Sequence, residues 1–442
     1  MKFYDREAET AALKRYEELS ASSAQMIVIT GRRRIGKTTL IKRSFTKIPF
    51  LYFFVGKKSE PLLCQELSEI VHDVLGEDIG DFTSFRRLFE VIMKISGRRN
   101  FTLVFDEFQN LKMAGEGIFS DIQDVWDANK EESRINLVIC GSIYSKMKKI
   151  FDDKDEPLYG RATARFKIKA FGTNTLKTIL KDHNPDFTPD DLLTLYMVTG
   201  GVAKYVELLM SQGAYTKDSI LKAVLSLGSY FIDEGRELLS DEFGKDYGNY
   251  FSVLSALAGG KTYRGDMTSH VGFETGGYLD KLETDFNIVR RVRPYLSGEQ
   301  SRNVRYYLDD DFLSFWFRFI YKYRSAVEIG NIGYVREKIE KDYDTYSGFV
   351  LEKWFRQAYG ETGEYNIVTN YWKKGSRGTP GEDQEIDLVA VNEEDKTIVI
   401  GEIKRNSDKI NTKVLQSKAS GILSHHKGWN VRFVGLSLKN MF

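Results

Sequence analysis

A short apolar strand, a glycine loop and the start of a helix follow one another between Ile27 and Leu40. The loop reads Gly-Arg-Arg-Arg-Ile-Gly-Lys-Thr and fits the pattern G-x-x-x-x-G-K-[ST] in the strand-to-helix setting that this pattern requires. In such a loop the backbone N–H groups surround a phosphate chain, and the amino terminus of the helix adds partial positive charge. The sequence therefore predicts a site for ATP with Mg²⁺, formed by Gly31, Arg32, Arg33, Arg34, Ile35, Gly36, Lys37, Thr38 and Thr39.

Two residues of this loop and two residues of a later strand have predicted chemical roles. We expect Lys37 to reach the β- and γ-phosphates and the hydroxyl of Thr38 to hold Mg²⁺. The apolar strand that begins at Thr102 ends on two carboxylates, Asp106 and Glu107. Asp106 is predicted to hold Mg²⁺ through water, and Glu107 to orient the water that attacks the γ-phosphate.

Apolar strands alternate with helical periodicity over the first third of the chain. This alternation predicts an α/β fold with a doubly wound parallel sheet, whose ligands bind at the carboxyl ends of the strands. The fourth apolar strand runs from Ile135 and ends in Ser142, which thus falls on the nucleotide side. It could hydrogen-bond the γ-phosphate or the attacking water, or it could only cap the next helix.

The loop from Asp152 to Arg161 ends in Pro-Leu-Tyr-Gly-Arg. An arginine beside a glycine could neutralise charge on the phosphoryl group as it is transferred. The alternative is a loop charge that only faces solvent.

Six motifs stand in a fixed order along the chain: F-x-x-R-E-x-E from Phe3, the glycine loop, F-D-E-F-Q from Phe105, G-S-I-Y-S-K-M from Gly141, P-L-Y-G-R ending at Arg161, and T-G-G-x-x-x-Y from Thr199. This order resembles the archaeal-type ATPase family, a STAND-class branch close to AAA+ proteins. The resemblance implies that Phe3 and Arg6 lie near the adenine, that Ser142 acts as a sensor, and that Arg161 faces the phosphates of its own or a neighbouring site. One departure is Ala203, where the family usually has proline.

Changes of pattern along the chain predict four domains. Residues 1–172 form the P-loop ATPase domain, and 173–243 form a helical lid. Residues 244–340 contain three short helices, a hairpin and a connecting helix, an arrangement typical of a winged helix. Residues 341–442 form a small α/β domain.

The charges of the winged-helix segment leave its role open. The third helix, 276–286, carries Asp280, Glu283 and Asp285 against Lys281 alone, so it would repel phosphates. Basic residues lie on the hairpin instead. This module could contact DNA through the hairpin, or it could dock within the protein. The aromatic run from Asp311 to Tyr321 is too short to span a bilayer, and we interpret it as a buried connecting helix.

A second set of chemical groups lies near the C-terminus. Glu402 and Lys404 are two positions apart on one strand and share a face. Asp387 reaches that face only in a register that places it opposite or diagonal to Glu402. Two carboxylates could then hold Mg²⁺ while Lys404 orients or activates water against a phosphodiester, and Glu352 could add a third carboxylate.

The order helix, strand, E-I-D, strand, G-E-I-K resembles the PD-(D/E)XK nuclease superfamily, although the proline that usually precedes the aspartate is absent. The resemblance implies a metal-dependent nuclease domain. Such a domain can also keep the fold without the activity. Two functions follow: an ATP-driven switch coupled to a nuclease-like effector that acts on nucleic acid, or an ATP-gated regulator that binds DNA or protein without cutting.

The bulk composition excludes several classes of protein. The 442 residues carry a net charge of +1, so no global field recruits nucleic acid. Two cysteines exclude a disulfide framework. No apolar run reaches the roughly 18 residues that span a membrane, and the charged N-terminus is unlike a signal peptide. We expect a soluble cytoplasmic protein, with oligomerisation open.

Overall fold

The computed structural model describes residues 2–243, 247–373 and 384–442. The chain divides into two compact units, which we call the N-terminal unit (Asp5–Lys169) and the C-terminal unit (Met1–Tyr4 with Ala170–Phe442). None of the helices in the described ranges is both long enough and apolar enough to cross a membrane.

The N-terminal unit is a five-stranded parallel sheet with helices between the strands. Its strands are β1 (Gln25–Gly31), β2 (Phe50–Phe54), β3 (Phe101–Asp106), β4 (Ile135–Cys140) and β5 (Ala164–Ile168). Its helices are α1 (Glu7–Leu19), α2 (Lys37–Ser44), α3 (Glu60–Leu75), α4 (Phe85–Arg98), α5 (Ile118–Asn129) and α6 (Tyr144–Asp152), with a 3₁₀ turn at Phe108–Met113.

The strand order is β2-β3-β4-β1-β5. Every residue of β3 and β4 is buried, as expected when helices cover both faces of a parallel sheet. Phe105 pairs with Ile139, and Ile29 pairs with Cys140. The ends of β1, β3 and β4 therefore meet at one edge of the sheet, which confirms the doubly wound α/β prediction and brings the glycine loop beside the acidic strand end.

The C-terminal unit begins with helices and a two-stranded hairpin. The helices are α7 (Thr173–His183), α8 (Pro189–Thr199), α9 (Ala203–Ser211), α10 (Lys217–Val224), α11 (Tyr230–Phe243), α12 (Tyr247–Ala258), α13 (Arg264–Val271) and α14 (Gly276–Thr284). The hairpin, which we call the wing, pairs β6 (Val289–Val292) with β7 (Arg305–Leu308).

The aromatic run forms α15 (Asp311–Phe315) and a π-helix at Trp316–Tyr321. Phe312, Phe315 and Trp316 are each at most 2% exposed, so the predicted core role of this run is confirmed. Two helices follow, α16 (Arg324–Glu328) and the 30-residue α17 (Ile332–Glu361).

The chain ends in a four-stranded sheet with the order β11-β10-β9-β8. The strands are β8 (Ile367–Lys373), β9 (Gln384–Asn392), β10 (Thr397–Ile403) and β11 (Asn430–Leu436). Two short helices, α18 (Thr412–Lys418) and α19 (Ser420–His425), lie between β10 and β11, and short 3₁₀ turns lie at Ser407–Lys409 and Leu438–Met441.

The helices expected to form a separate lid pack directly on α17. The hydroxyl of Tyr196 donates to Oε1 of Gln357 at 2.7 Å, and its ring lies edge-on to Trp354 with centroids 5.0 Å apart. The hydroxyls of Thr194 and Tyr343 are 2.7 Å apart. These helices therefore share one compact unit with the C-terminal sheet, and the finer boundaries near 243 and 340 stay predictions.

Candidate functional site

The glycine loop connects β1 to α2 through a backbone that includes left-handed residues. Gly31 lies so close to β5 that a Cβ atom would be 2.7 Å from the carbonyl oxygen of Ile168. Arg34 and Gly36 have φ values of 69° and 94°. The loop then enters α2 at Lys37, which leaves the first N–H groups of that helix available to an anion.

Lys37 is folded against the loop that precedes it. Its side chain is buried, and Nζ donates to the carbonyl oxygens of Gly31 at 2.9 Å and Arg32 at 3.0 Å. Burial lowers the pKa of Lys37, while the nearby Glu107 and Asp106 act in the opposite direction. Two backbone carbonyls of the glycine loop thus hold this desolvated ammonium group at the start of α2.

Asp106 receives hydrogen bonds at both carboxylate oxygens. Thr38 donates from Oγ1 to Oδ2 at 3.0 Å, and the Tyr52 hydroxyl donates to the same oxygen at 2.5 Å. The backbone N–H of Glu107 donates to Oδ1 at 3.0 Å. Burial, with the charge of Asp106, raises the pKa of Tyr52, so Tyr52 remains a donor.

Glu107 occupies a left-handed backbone position with φ 58°, which turns the chain out of β3. Its Oε2 accepts hydrogen bonds from the Ser142 hydroxyl at 2.8 Å and from Nε2 of Gln109 at 2.5 Å. Gln109 is 5% exposed, and a Cβ on Gly141 would lie 2.5 Å from its Oε1. Two donors thus hold the Glu107 carboxylate beside the end of β4.

The structure therefore brings five predicted residues together: Lys37, Thr38, Asp106, Glu107 and Ser142. Tyr52 and Gln109 are additional members that the sequence reasoning missed. Tyr52 is two positions before Phe54, which pairs with Asp106 across β2 and β3, and so it shares a face with that carboxylate. Knowledge of the strand order was needed to find it.

The remaining loop residues differ in exposure. Ile35 is buried at 3% exposure, Thr39 is exposed, and the three arginines 32–34 are half-buried. Their contributions to nucleotide binding stay predictions.

Arg6 lies near the start of the glycine loop. Its guanidinium donates from Nη2 to the carbonyl oxygen of Lys169 at 2.5 Å and from Nη1 to Glu9 at 3.1 Å. Lys169 follows Ile168, which pairs with Gly31. This position is compatible with the predicted adenine contact. Phe3 is half-buried and belongs to the other compact unit, and its adenine contact stays a prediction.

Arg161 does not face the phosphate side of its own unit. It precedes β5, and nearby Thr163 donates its backbone N–H to the carbonyl of Met26 near the amino end of β1. The guanidinium pairs with Asp127, near the end of α5, at 2.7 Å. The length of β1 separates this edge from the glycine loop by about 20 Å. The prediction that Arg161 neutralises charge at this chain's own phosphate site was therefore wrong. It rested on the neighbouring glycine, which does not show at which end of the strands the loop lies. A role in a neighbour's site stays a prediction.

The second group of predicted residues converges in the C-terminal unit. β9 and β10 pair antiparallel up to Gly401 with Leu388, so the same register continues to Asp387 opposite Glu402. Nζ of Lys404 lies 3.0 Å from Oδ2 of Asp387 and 3.9 Å from Oε1 of Glu402. Asp387 also accepts the backbone N–H of Ile403 at 2.8 Å.

Glu352 and Arg356 of α17 approach the same group. Nη1 of Arg356 donates to the backbone carbonyl of Asp387 at 2.6 Å and lies 3.4 Å from Oε2 of Glu352. Burial, with the charge of Asp387, raises the pKa of Glu352 to about 7. Burial opposes the charged form of Lys404, but Asp387 outweighs it, and the pKa of Lys404 is raised.

No set of three or more acidic, histidine or cysteine side chains within the described ranges is arranged to hold a metal ion. The three-carboxylate version of this site is therefore not formed in the structure. The metal-binding roles of Asp387, Glu402 and Glu352 stay predictions. What the structure contains is two buried carboxylates against one half-buried ammonium group.

The basic residues of the wing are largely engaged in contacts within the protein. Arg291 pairs with Glu283 at 2.5 Å and with Asp280 at 3.0 Å, which neutralises the acidic α14. Arg305 pairs with Glu385 at 2.5 Å, and its guanidinium lies 4.5 Å from the ring of Trp372. These contacts favour docking of the wing over insertion into a DNA groove.

Comparisons with known proteins agree with this arrangement. A family model described as an ATPase domain predominantly from Archaea matches residues 3–209. A second model, described as archaeal and bacterial proteins of unknown function, matches residues 316–415. The Walker-type ATPase of Pyrococcus abyssi aligns over 72% of this chain and 96% of its own at 16% identity, with a TM-score of 0.53, which shows a shared fold.

Two further proteins are similar over most of the chain. The ORC2 protein of Aeropyrum pernix, solved as ADPNP–ADP complexes, covers 77% of this chain and 96% of its own at 14% identity, with a TM-score of 0.49. An uncharacterized protein of Methanocaldococcus jannaschii is 30% identical over 413 residues, which are 91% of this chain and 87% of the relative. The chain therefore belongs to the same family as the Methanocaldococcus protein, and its residues 3–209 form an ATPase domain of the type found predominantly in Archaea.

Proposed function

We propose that this protein binds ATP with Mg²⁺ at the glycine loop, hydrolyses it, and uses the nucleotide state to control the C-terminal unit. The observation that carries this proposal is the convergence of Lys37, Thr38, Asp106, Glu107 and Ser142 at the carboxyl edge of one sheet. This constellation supplies a phosphate-binding cation, hydroxyl and carboxylate oxygens, and a candidate general base.

The donor set fits Mg²⁺. Thr38 and Asp106 present a hydroxyl and a carboxylate within 3.0 Å of each other, and hard divalent cations prefer such oxygen ligands. When bound there, Mg²⁺ would neutralise charge on the β- and γ-phosphates. Tyr52 would keep the carboxylate oriented, since it donates to the same oxygen of Asp106.

The protein residues have separate proposed tasks. Lys37 would leave the carbonyls of Gly31 and Arg32 and bind the phosphates. Glu107, aligned by Ser142 and Gln109, would accept a hydrogen bond from the attacking water and orient it.

The nucleotide site is tested by equilibrium binding of a fluorescent ATP analogue to the full chain. Lys37→Ala should abolish measurable binding, because the phosphates lose the buried cation. Lys47→Ala is the matched control, because Lys47 is an exposed lysine that pairs with Glu18 on the surface. Unchanged affinity in the Lys37 variant would refute the assignment of the phosphate site.

For the C-terminal unit we propose phosphodiester cleavage that depends on a divalent metal, within a PD-(D/E)XK-like domain. The supporting observation is that Asp387 and Glu402 meet the ammonium group of Lys404 at 3.0 and 3.9 Å. The oxygens of the two carboxylates would hold Mg²⁺ or Mn²⁺, which would supply charge neutralisation at the phosphate. Lys404 would orient the attacking water. The three helices and the wing support a winged-helix module beside this domain.

The nuclease proposal is tested on labelled single- and double-stranded DNA with Mg²⁺ or Mn²⁺, with and without ATP. A Glu402→Ala/Lys404→Ala double variant is the control. Cleavage that requires ATP and disappears in the control would establish an ATP-gated nuclease. Absence of cleavage in every nucleotide state, with ATP still bound, would favour a regulator whose C-terminal unit binds nucleic acid or protein without cutting it.

A further inference from the structure

A cleft of about 630 Å³ lies within the C-terminal unit, and the proposed nuclease residues form part of its wall. Asp387, Glu402 and Lys404 contribute from β9, β10 and the residue after β10. The wing contributes Arg290 and Arg305 on another side. The cleft is thus built jointly by the sheet, α17 and the wing.

One face of α17 lines this cleft. Phe349, Glu352, Lys353 and Arg356 have the spacing i, i+3, i+4 and i+7, which places them in a row on one side of a helix. Phe349 is 60% exposed even though it is a large apolar side chain. An exposed phenylalanine one turn from a carboxylate–lysine cluster offers a flat surface on which a base can stack.

The wing wall is fastened to the C-terminal sheet. The backbone N–H of Tyr295 donates to the carbonyl oxygen of Asn370 in β8 at 3.1 Å, and Nε1 of Trp372 donates to Asn303 at 3.0 Å. Arg305 adds its pair with Glu385, a residue of β9 two positions before Asp387. The wing therefore closes one side of the cleft beside the carboxylates.

The size and charge of the cleft indicate its occupant. A volume of about 630 Å³ is in the range of small-ligand pockets. A DNA duplex, whose grooves alone are about 12 and 6 Å wide, is too large to enter such a cleft. Seven lysine or arginine residues and five aspartate or glutamate residues occur among the described lining residues, and each of the seven basic groups lies within 4 Å of a carboxylate. A phosphate backbone would therefore bind by exchanging these carboxylate partners for phosphate oxygens.

We propose that this cleft binds a single unpaired nucleic-acid strand, with a base stacked on Phe349 and the phosphate backbone directed between the wing and the carboxylate–lysine cluster. Cleavage of the bound strand rests on the proposed nuclease function, whereas binding of the strand does not require it. Unpaired bases on a phosphodiester chain are common to DNA and RNA, and both are included in the test.

The test is fluorescence anisotropy with the full chain at fixed salt, in EDTA so that no cleavage occurs. The probes are a short labelled oligothymidylate, an oligouridylate of the same length, and a DNA duplex of that length. We expect at least one of the single strands to bind roughly tenfold or more tightly than the duplex.

Phe349→Ala should weaken single-strand binding by roughly 5- to 100-fold, the range that the loss of one stacked base gives. Tyr334→Ala is the matched control, because Tyr334 is also an exposed aromatic residue of α17, 40% exposed and about 22 Å away along the helix. Arg290→Ala, on the wing wall and 47% exposed, should weaken the same probe several-fold.

Two results would overturn the inference: duplex binding as tight as single-strand binding, or equal affinities for the Phe349 and Tyr334 variants. Cleavage of duplex DNA alone, with no preference for single strands in EDTA, would reject this inference while the nuclease proposal survives. Selective single-strand binding that depends on Phe349, with no cleavage in Mg²⁺ or Mn²⁺, would support it while the nuclease proposal fails.

Discussion

The hydroxyl of Ser142 donates a 2.8 Å hydrogen bond to Oε2 of Glu107 and so ties the end of β4 to the end of β3. The two residues are 35 positions apart in the chain, and neighbouring strands bring them together. This hydrogen bond fixes the carboxylate of Glu107, for which we propose the role of orienting the attacking water. The N-cap of α6 is Ile143, with no side-chain hydrogen bond at the cap, so the structure does not show Ser142 as the cap of that helix. We propose that Ser142 is a positioning residue for Glu107.

Removal of the Ser142 hydroxyl should slow hydrolysis without weakening ATP binding. Ser142→Ala should lower kcat roughly tenfold, less than the loss of a base itself, since Gln109 still holds Glu107. Phosphate release and ATP affinity are measured in parallel. In a Glu107→Gln background the same substitution should have little further effect, because the two residues act together. Full additivity of the two losses would contradict the positioning role.

Replacement of Arg161 should leave ATP hydrolysis unchanged in dilute protein. Arg161 pairs with Asp127 at the sheet edge away from the glycine loop, so it contributes no charge to its own phosphate site. The measurement is phosphate release by Arg161→Ala and wild type over a series of protein concentrations. A defect only at high concentration would indicate that Arg161 acts on a neighbour. A large loss at every concentration would contradict the placement described here.

Removal of the charge at Glu352 should stabilise the protein in a pH-dependent way. Burial and Asp387 raise the pKa of Glu352 from 4.5 to about 7 in the folded state, so the folded protein binds this proton more tightly than the unfolded chain. Stability is therefore lost as the pH rises from about 4.5 to about 7 and stays low above that. Glu352→Gln should stabilise by on the order of 1 kcal/mol at pH 8 and have little effect near pH 4.5.

Thermal unfolding of wild type and Glu352→Gln across this pH range provides the measurement. The difference in Tm should grow between pH 5 and pH 7 and then level off. A difference that is constant with pH would show that the carboxyl group does not titrate in this window.

Loss of the Lys404 ammonium group should separate metal binding from cleavage. The ammonium lies 3.0 Å from Oδ2 of Asp387 and would compete with a cation there. Lys404→Ala should therefore bind Mn²⁺ at least as tightly as wild type in titration calorimetry, while any nuclease activity falls by roughly 100-fold or more. Lys409→Ala, at an exposed lysine of the neighbouring 3₁₀ turn, should change neither. Weaker Mn²⁺ binding in Lys404→Ala would contradict this assignment.

The parts of the fold and sites that could be predicted are those that local spacing determines. The glycine loop and the acidic strand end carry their own chemistry, so Lys37, Thr38, Asp106 and Glu107 could be assigned from sequence. Asp387 could be assigned only on the condition that the strand register places it opposite or diagonal to Glu402. The short turn between β9 and β10 limits that register, which in the structure places Asp387 opposite Glu402.

The parts that could not be predicted depend on which distant segments become neighbours. Tyr52 reaches Asp106 only because β2 lies beside β3, and Gln109 reaches Glu107 only because Glu107 is left-handed. Arg161 could not be placed from sequence, because the glycine beside it does not show at which edge of the sheet the loop lies. The ion pair of Arg305 with Glu385 joins residues 80 positions apart, and the periodicity of a sequence does not predict contacts between such distant residues.

The most direct test of the central claim is steady-state phosphate release from ATP by the full chain and by Glu107→Gln, with ATP affinity measured for both. The account predicts measurable Mg²⁺-dependent hydrolysis by wild type. In the variant the rate should fall by roughly 10²-fold or more while ATP affinity is retained, because the amide cannot polarise the attacking water. Hydrolysis by the variant at the wild-type rate, or no hydrolysis by wild-type protein that binds ATP, would contradict the assignment of Glu107 as the base of an ATPase.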